Sequence, residues 1–201
     1  MFRITDVVKN LLIINVIVFF AVRYLIPIPG IERFFMLVYP GLEIMDPSSG
    51  YMLKFEPVQV ITHMFMHGDE RHLIFNMLGL YFLGPMVESS LGAKRFLILY
   101  LTSGFVASIA QLLVTQGIIV GASGAVFGVL AAFATMYPNM KLMLLFPPIP
   151  IKAKYMAMAL IAIGLFSGVT GTQDGIGHFA HLGGALCGFL IIHFWNLANL
   201  R

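Results

Sequence analysis

Gly121-Ala122-Ser123-Gly124-Ala125-Val126-Phe127-Gly128 opens a long apolar segment with small residues and carries a hydroxyl in its first turn. A serine in an apolar helix commonly returns its hydrogen bond to a backbone carbonyl. Here the serine has other company. His72 and Asn76 upstream and His181 downstream each lie near the start of an apolar segment. How those segments are arranged decides both the fold and the chemistry.

Of the 201 residues, 59% are hydrophobic and 10% charged, whereas a soluble domain carries about 25% charged residues. The mean hydropathy is +0.92. Such a chain is an all-α, polytopic membrane protein whose first partner is the lipid bilayer. The net charge of +3 is not gathered into a basic stripe, which excludes a nucleic-acid partner. The single Cys187 lies in an apolar segment, permits no intramolecular disulfide and reads as a packing residue. Arg3, Lys9 and the stretch from Leu11 to Val22 look superficially like a signal peptide. No small-x-small cleavage pattern follows, and the apolar run reaches Pro27, so a retained first span is expected.

At about 20 mostly apolar residues per crossing, six spans are expected at about residues 10–29, 72–90, 96–115, 122–138, 155–170 and 177–197, as one domain over residues 1–201. The connection after span 1 holds Glu32, Glu43, Asp46, Glu56, Asp69 and Glu70, and it is too long to be idle. Its run from Phe34 to Tyr39 is expected to lie in the membrane interface. Residues 116–121, apolar but non-helical, would be costly against lipid and are expected inside the protein or beside a water-filled cavity. Pro147-Pro148-Ile149-Pro150 makes a stiff link before span 5, and Gly171-Thr172-Gln173-Asp174-Gly175 a flexible one before span 6.

Six spans gather Arg3, Lys9, Lys94, Arg95, Lys141, Lys152, Lys154 and Arg201, eight of the twelve basic residues, on one side. That side is cytoplasmic by the distribution of Lys and Arg. Spans 2, 4 and 6 then all enter from the outer side. At about 1.5 Å rise per residue, His72, Asn76, Ser123 and His181 each fall within roughly two turns of a helix start, in one shallow outer layer.

A serine hydroxyl becomes a useful nucleophile when a base takes its proton, and histidine is the usual base. Ser123 and His181 can pair if spans 4 and 6 adjoin. Gly124, Gly128 and Ala132 on one, and Ala180, Gly184 and Gly188 on the other, repeat every four residues and permit close approach. His72 and Asn76, four apart, share a helical face. They can aim at the oxyanion of an acyl transfer together with the backbone N–H groups at the start of the Ser123 helix. No Asp or Glu is positioned to orient His181, so a dyad is expected.

Other polar residues read as structural. His63 and His67 are spaced for a metal, but no carboxylate or thiol completes a zinc site and no HExxH occurs. His178 is expected to be a loop or rim residue, and His193 to be interfacial. Glu88, at the end of span 2, would pair with Arg95. Asp69 and Glu70 would cap span 2.

Gly121-Ala122-Ser123-Gly124, preceded by His72-x-x-x-Asn76 and followed by Ala180-His181-Leu182-Gly183-Gly184, resembles the rhomboid intramembrane serine proteases. The likeness extends to Thr62-His63-Met64-Phe65-Met66-His67, to Gly84, Glu88 and Gly92, and to Leu145-Phe146-Pro147-Pro148. It implies a six-helix bundle with a long interfacial loop after span 1 and a cavity opening outward. It also implies a Ser123 nucleophile, a His181 base and an oxyanion hole of His72, Asn76 and the Ser123 backbone N–H, with Gly121, Gly124, Phe127 and Gly184 in support and a structural His67 that holds the first loop by hydrogen bonds. The expected substrates are transmembrane segments of other proteins, cut near the outer leaflet of a bacterial plasma membrane without metal or cofactor. Two positions depart from the family. Val58-Gln59 replaces a usual Trp-Arg pair, which leaves open how the loop is anchored, and Phe127 stands for a frequent Tyr. A non-catalytic relative that binds transmembrane helices, or a histidine-based metal transporter, are the competing readings.

Overall fold

In the computed structural model, described for residues 3–25, 28–47, 49–143, 147–171 and 177–199 (196–199 by backbone alone), the apolar segments form seven helices. They are α1 (Asp6–Phe20), α2 (Gln59–Thr62), α3 (Glu70–Leu91), α4 (Ala93–Val114), α5 (Ser123–Met136), α6 (Ala153–Thr170) and α7 (His178–Asn199). Leu145-Phe146, Thr172 to Gly175 and Arg201 lie outside the described residues. Among the described residues, four helices are long and apolar enough to cross a membrane: α1 with the π turn Ala21–Leu25 that extends it, α4, α6 and α7. The other two long elements differ. Helix α3 is 22 residues long but bears Glu70, Arg71 and Glu88, and α5 is apolar but only 14 residues long.

The first helix starts at Asp6 rather than near Asn10, and buried Glu88 explains the difference. Its carboxylate accepts from the Thr5 hydroxyl and from the Val7 and Val8 backbone N–H groups at 3.1 and 2.9 Å. That satisfies donors which a helix start otherwise leaves unpaired. Glu88 is therefore tied to the chain's first helix, not to Arg95, whose guanidinium instead lies over Trp195 at 5.7 Å. Asp69 caps α3 as expected, accepting from the His72 N–H at 2.8 Å.

Short strands join segments that looked merely irregular. β1 (Leu37–Val38) pairs antiparallel with β4 (Ile118–Ile119), Leu37 opposite Ile119, and the Tyr39 N–H extends the ladder to Gly117. Leu37 and Val38 are consequently fully buried. Their neighbours Phe34, Ile44 and Met45 do remain exposed. The other two pairings are hairpins, β2 (Ile44–Met45) with β3 (Met52–Leu53) and β5 (Lys141–Met143) with β6 (Pro150–Lys152).

Helix α5 is the centre. Nearly every residue from Gly124 to Ala134 is buried, as befits a helix apolar all round. Small residues set how tightly its neighbours approach. A methyl at Gly184 or Gly188 of α7 would collide with the carbonyl of Gly124 or Gly128, and one at Gly124 would meet the Ala107 side chain of α4. The four-residue repeats on α5 and α7 thus bring the two backbones into contact, as in other close helix pairs within membranes.

Candidate active site

The fold delivers Ser123 as the first residue of α5, one position after the N-cap Ala122. The N–H groups of Ser123, Gly124 and Ala125 precede the first intrahelical bond, Val126 N–H to the Ala122 carbonyl at 3.0 Å. Such a start presents unpaired donors and the positive end of the helix dipole to an incoming anion.

His181 comes from the facing helix. Its ring stacks on Phe127, one turn beyond Ser123, with centroids 4.2 Å apart and planes 7° from parallel. Gly124, beside Ser123, faces the carbonyl of Ala180, beside His181, at 3.6 Å from an added Cβ. The small-residue seam and the stack therefore carry the imidazole to the face of α5 that begins with the hydroxyl. Phe127, without the frequent tyrosine's hydroxyl, still stacks on the imidazole through ring-to-ring contact.

His72 reaches the same place from α3. An added Cβ at Gly121 would fall 2.6 Å from its Cε1 and 2.7 Å from its Nε2. Gly121 also has φ +120°, a backbone that favours glycine. His72 Nδ1 accepts from the Gly68 N–H at 3.4 Å, so the neutral ring carries its proton on Nε2, the edge turned to Gly121. Asn76 is buried, and its amide donates to the His72 carbonyl at 2.9 Å. An amide nitrogen has two hydrogens, so a second N–H remains for a ligand.

Two histidines hold the segment before the serine. His63 bonds through Nδ1 to the Gln59 carbonyl at 2.8 Å, and its own carbonyl accepts from the Gly121 N–H at 2.9 Å. His67 Nε2 lies 3.5 Å from the Ala122 N–H and its ring sits edge-on to His72, centroids 5.1 Å apart. Holding the first loop thus falls to His63, while His67 reaches the residue before Ser123. Both rings lie in the loop preceding α3 and are buried. Desolvation pushes them down from 6.5, His63 to about 4 and His67 to about 3, so both are neutral at ordinary pH.

His178 proves buried rather than a rim residue, because it is the first residue of α7 and packs beneath Gly168. His193 is exposed near the far end of α7, stacked on Phe189. Sequence reasoning passed over Gln111 of α4. Its Oε1 accepts from the Ala180 N–H at 2.9 Å and its Nε2 donates to the Thr115 hydroxyl at 2.7 Å. That bond fixes the first turn of α7 next to His181. One of only two side-chain amides, with Gln116, in the charge-free run from Phe96 to Pro138, Gln111 was the available signal.

The anchor left open at Val58-Gln59 is Gln59. Its fully buried amide accepts from the Val38 and Glu56 N–H groups, each at 3.1 Å, and donates to the Arg33 and Lys54 carbonyls at 2.8 and 2.9 Å. The loop is tied to the site through one side chain. From there the path runs through His63 to Gly121.

Comparison with known proteins agrees with this architecture. A Rhomboid domain model matches residues 54–195. Rhomboid protein 1, mitochondrial, of Saccharomyces cerevisiae is 34% identical over 149 residues, covering 71% of this chain and 42% of its own length. RHOMBOID-like protein 7 of Arabidopsis thaliana is 28% identical over 92% of the chain and 64% of its own length. Rhomboid protease AarA of Providencia stuartii is 31% identical over 64% of the chain and 52% of its own length. The chain thus spans roughly half the length of these relatives. With a domain match over most of its residues, the chain belongs to the rhomboid family of membrane proteins.

Proposed function

We propose that this protein is a serine endopeptidase that cuts transmembrane segments of other membrane proteins, using Ser123 and His181. The carrying observation is the Phe127–His181 stack one turn from Ser123, on two helices whose backbones touch. The name of the Providencia relative, a rhomboid protease, favours the same reading.

In this mechanism Ser123 Oγ attacks the scissile carbonyl carbon while its proton passes to His181. The carbonyl oxygen, now an oxyanion, takes hydrogen bonds from the Ser123 backbone N–H, His72 Nε2–H and the second Asn76 N–H, the kind of preorganised donors that stabilise such charge. His181 then protonates the departing amine, the C–N bond breaks, and water activated by the same imidazole releases the acyl group and restores Ser123. The bias of Lys and Arg puts both termini in the cytoplasm and the site toward the outer leaflet, and the bacterial relative suggests a plasma membrane. At about 1.5 Å per residue α5 rises about 21 Å, short of the about 30 Å hydrocarbon core. A helix that ends near the cytoplasmic face would therefore begin below the outer surface, at the depth of a transmembrane substrate.

A fluorophosphonate probe tests the assignment on folded protein in detergent. Labelling should occur in the native chain and vanish in Ser123→Ala and in His181→Ala. Asn76→Ala should lower cleavage of a model transmembrane substrate about 10²-fold, the scale for one oxyanion donor. Folded native protein that takes no label and cuts no substrate would overturn the reading in favour of a helix-binding scaffold.

A further inference from the structure

The loop between α1 and α3 contains a cavity of about 340 Å³ lined by Arg33, Tyr51, Met52, Lys54 and Glu56. We propose that it binds the zwitterionic headgroup of an ethanolamine phospholipid in the leaflet beside this loop.

The frame of the cavity is built rather than incidental. Gln59, fully buried, bonds to the backbone of Arg33, Lys54 and Glu56. One side chain therefore fixes three of the five lining residues. Arg33 is held as well: its guanidinium carbon lies 4.6 Å from the Phe34 ring centre and 4.9 Å from that of Tyr51. Stacking on aromatic rings uses the faces of the guanidinium and leaves its in-plane N–H edge to donate, a fork that matches phosphate.

The charges suit one chemical class. Arg33 and Lys54 supply two cations for a phosphodiester. Glu56 supplies a carboxylate, 3.9 Å from the Lys54 ammonium, for a primary ammonium a few bonds away from that phosphate. A headgroup with its own ammonium replaces Lys54 as the partner of Glu56 and frees Lys54 for the phosphate. A purely anionic one draws Lys54 away from Glu56 without replacing it, and a quaternary ammonium could not donate to Glu56.

The surroundings favour a lipid as the source of the phosphate. Tyr51 and Met52 are 41% exposed at the cavity's edge, and Phe34, Ile44 and Met45 are exposed on the same loop. Apolar side chains presented together beside cations are the pattern of a segment resting among headgroups and upper acyl chains. This inference stands on the loop alone and needs no catalysis by Ser123.

Native mass spectrometry of the full chain in detergent micelles tests it, with dioleoyl phosphatidylethanolamine, phosphatidylcholine or phosphatidylglycerol added singly, or with inorganic phosphate alone. The native chain should retain one ethanolamine lipid in preference to the other two. Arg33→Gln with Lys54→Gln, the first half-buried and the second exposed, should weaken retention about tenfold. Glu56→Gln should abolish the preference for ethanolamine over choline while retention of both lipids persists. Equal retention by the native chain and the double variant would overturn the site, as would indifference to the headgroup. Displacement of the lipid by inorganic phosphate would overturn a lipid in favour of a free anion. Unfolding midpoints of the variants near that of the native chain exclude misfolding as the cause of any loss.

Discussion

Replacing Gly184 by Ala is the sharpest probe of how the two central helices serve the site. A Cβ there would lie 2.8 Å from the Gly124 carbonyl carbon and 3.2 Å from its Cα, closer still to its oxygen. Ordinary carbon–carbon contact is about 3.5–4.0 Å, so the backbones must part by roughly 1 Å, because neither clashing group is a flexible side chain. Gly124 adjoins Ser123, and Gly184 is three residues from His181. The displacement therefore falls on the pair whose geometry the proposed reaction needs. A misplacement of about 1 Å costs on the order of 10²-fold in rate, and forcing an extra methyl into a packed seam costs about 1–3 kcal/mol in stability. The assay is cleavage of a transmembrane model substrate together with the unfolding midpoint in the same detergent. Gly164→Ala is the control, since its Cβ meets only Leu182 Cδ2, at 4.0 Å, and it should leave the rate within about twofold. Gly184→Ala at the native rate would refute the claim that backbone contact between α5 and α7 sets the dyad.

Other perturbations follow from the same contacts. Gln59→Ala orphans backbone groups of Arg33, Val38, Lys54 and Glu56, and at about 1–3 kcal/mol per buried orphan it should cost about 3 kcal/mol or more in unfolding. Gln59→Arg should also destabilise, because a guanidinium cannot accept from Val38 or Glu56; native stability in either variant would refute the anchor. His63 and His67 are neutral in the fold, with pKa about 4 and about 3 against 6.5. Their stabilising contribution is therefore complete above the unfolded pKa and declines as pH falls below it. At about pH 5 the loss is about 2 kcal/mol for each, and an unfolding midpoint flat from about pH 7 to 5 would contradict it. Asp69→Ala should lower the unfolding midpoint by removing the α3 cap, whereas Asp69→Asn, which keeps an acceptor for the His72 N–H, should not. Equal midpoints for the two would show that the cap contributes nothing.

Much of the molecule was legible because lipid leaves a chain few options. The apolar segments around Leu11, Leu99, Leu160 and Leu190 become α1, α4, α6 and α7, since a backbone out of water must bond within itself. The glycine and alanine repeats near Ser123 and His181 are as readable, because only small residues allow two helical backbones to touch. Asp69 before a helix needed no tertiary information either, since a cap is a local bond.

Other features arose from distant partners. Thr5 and Asp6 are residue types that suit a helix start, but the Thr5 side chain does not cap α1 itself. Glu88, some eighty residues later, supplies the acceptors. Leu37 and Val38 become buried only when Ile118 and Ile119 pair with them, and Gln59 looks like an ordinary polar residue until four loop residues converge on its amide. Gln111 likewise acquires a role only when α7 arrives with an unpaired Ala180 N–H. The sequence by itself determined which stretches are helical and which residues carry the candidate chemistry, since hydropathy and residue type act locally. Only the tertiary structure decided how loops and helix ends satisfy their backbone hydrogen bonds, because those partners come together once the chain has folded.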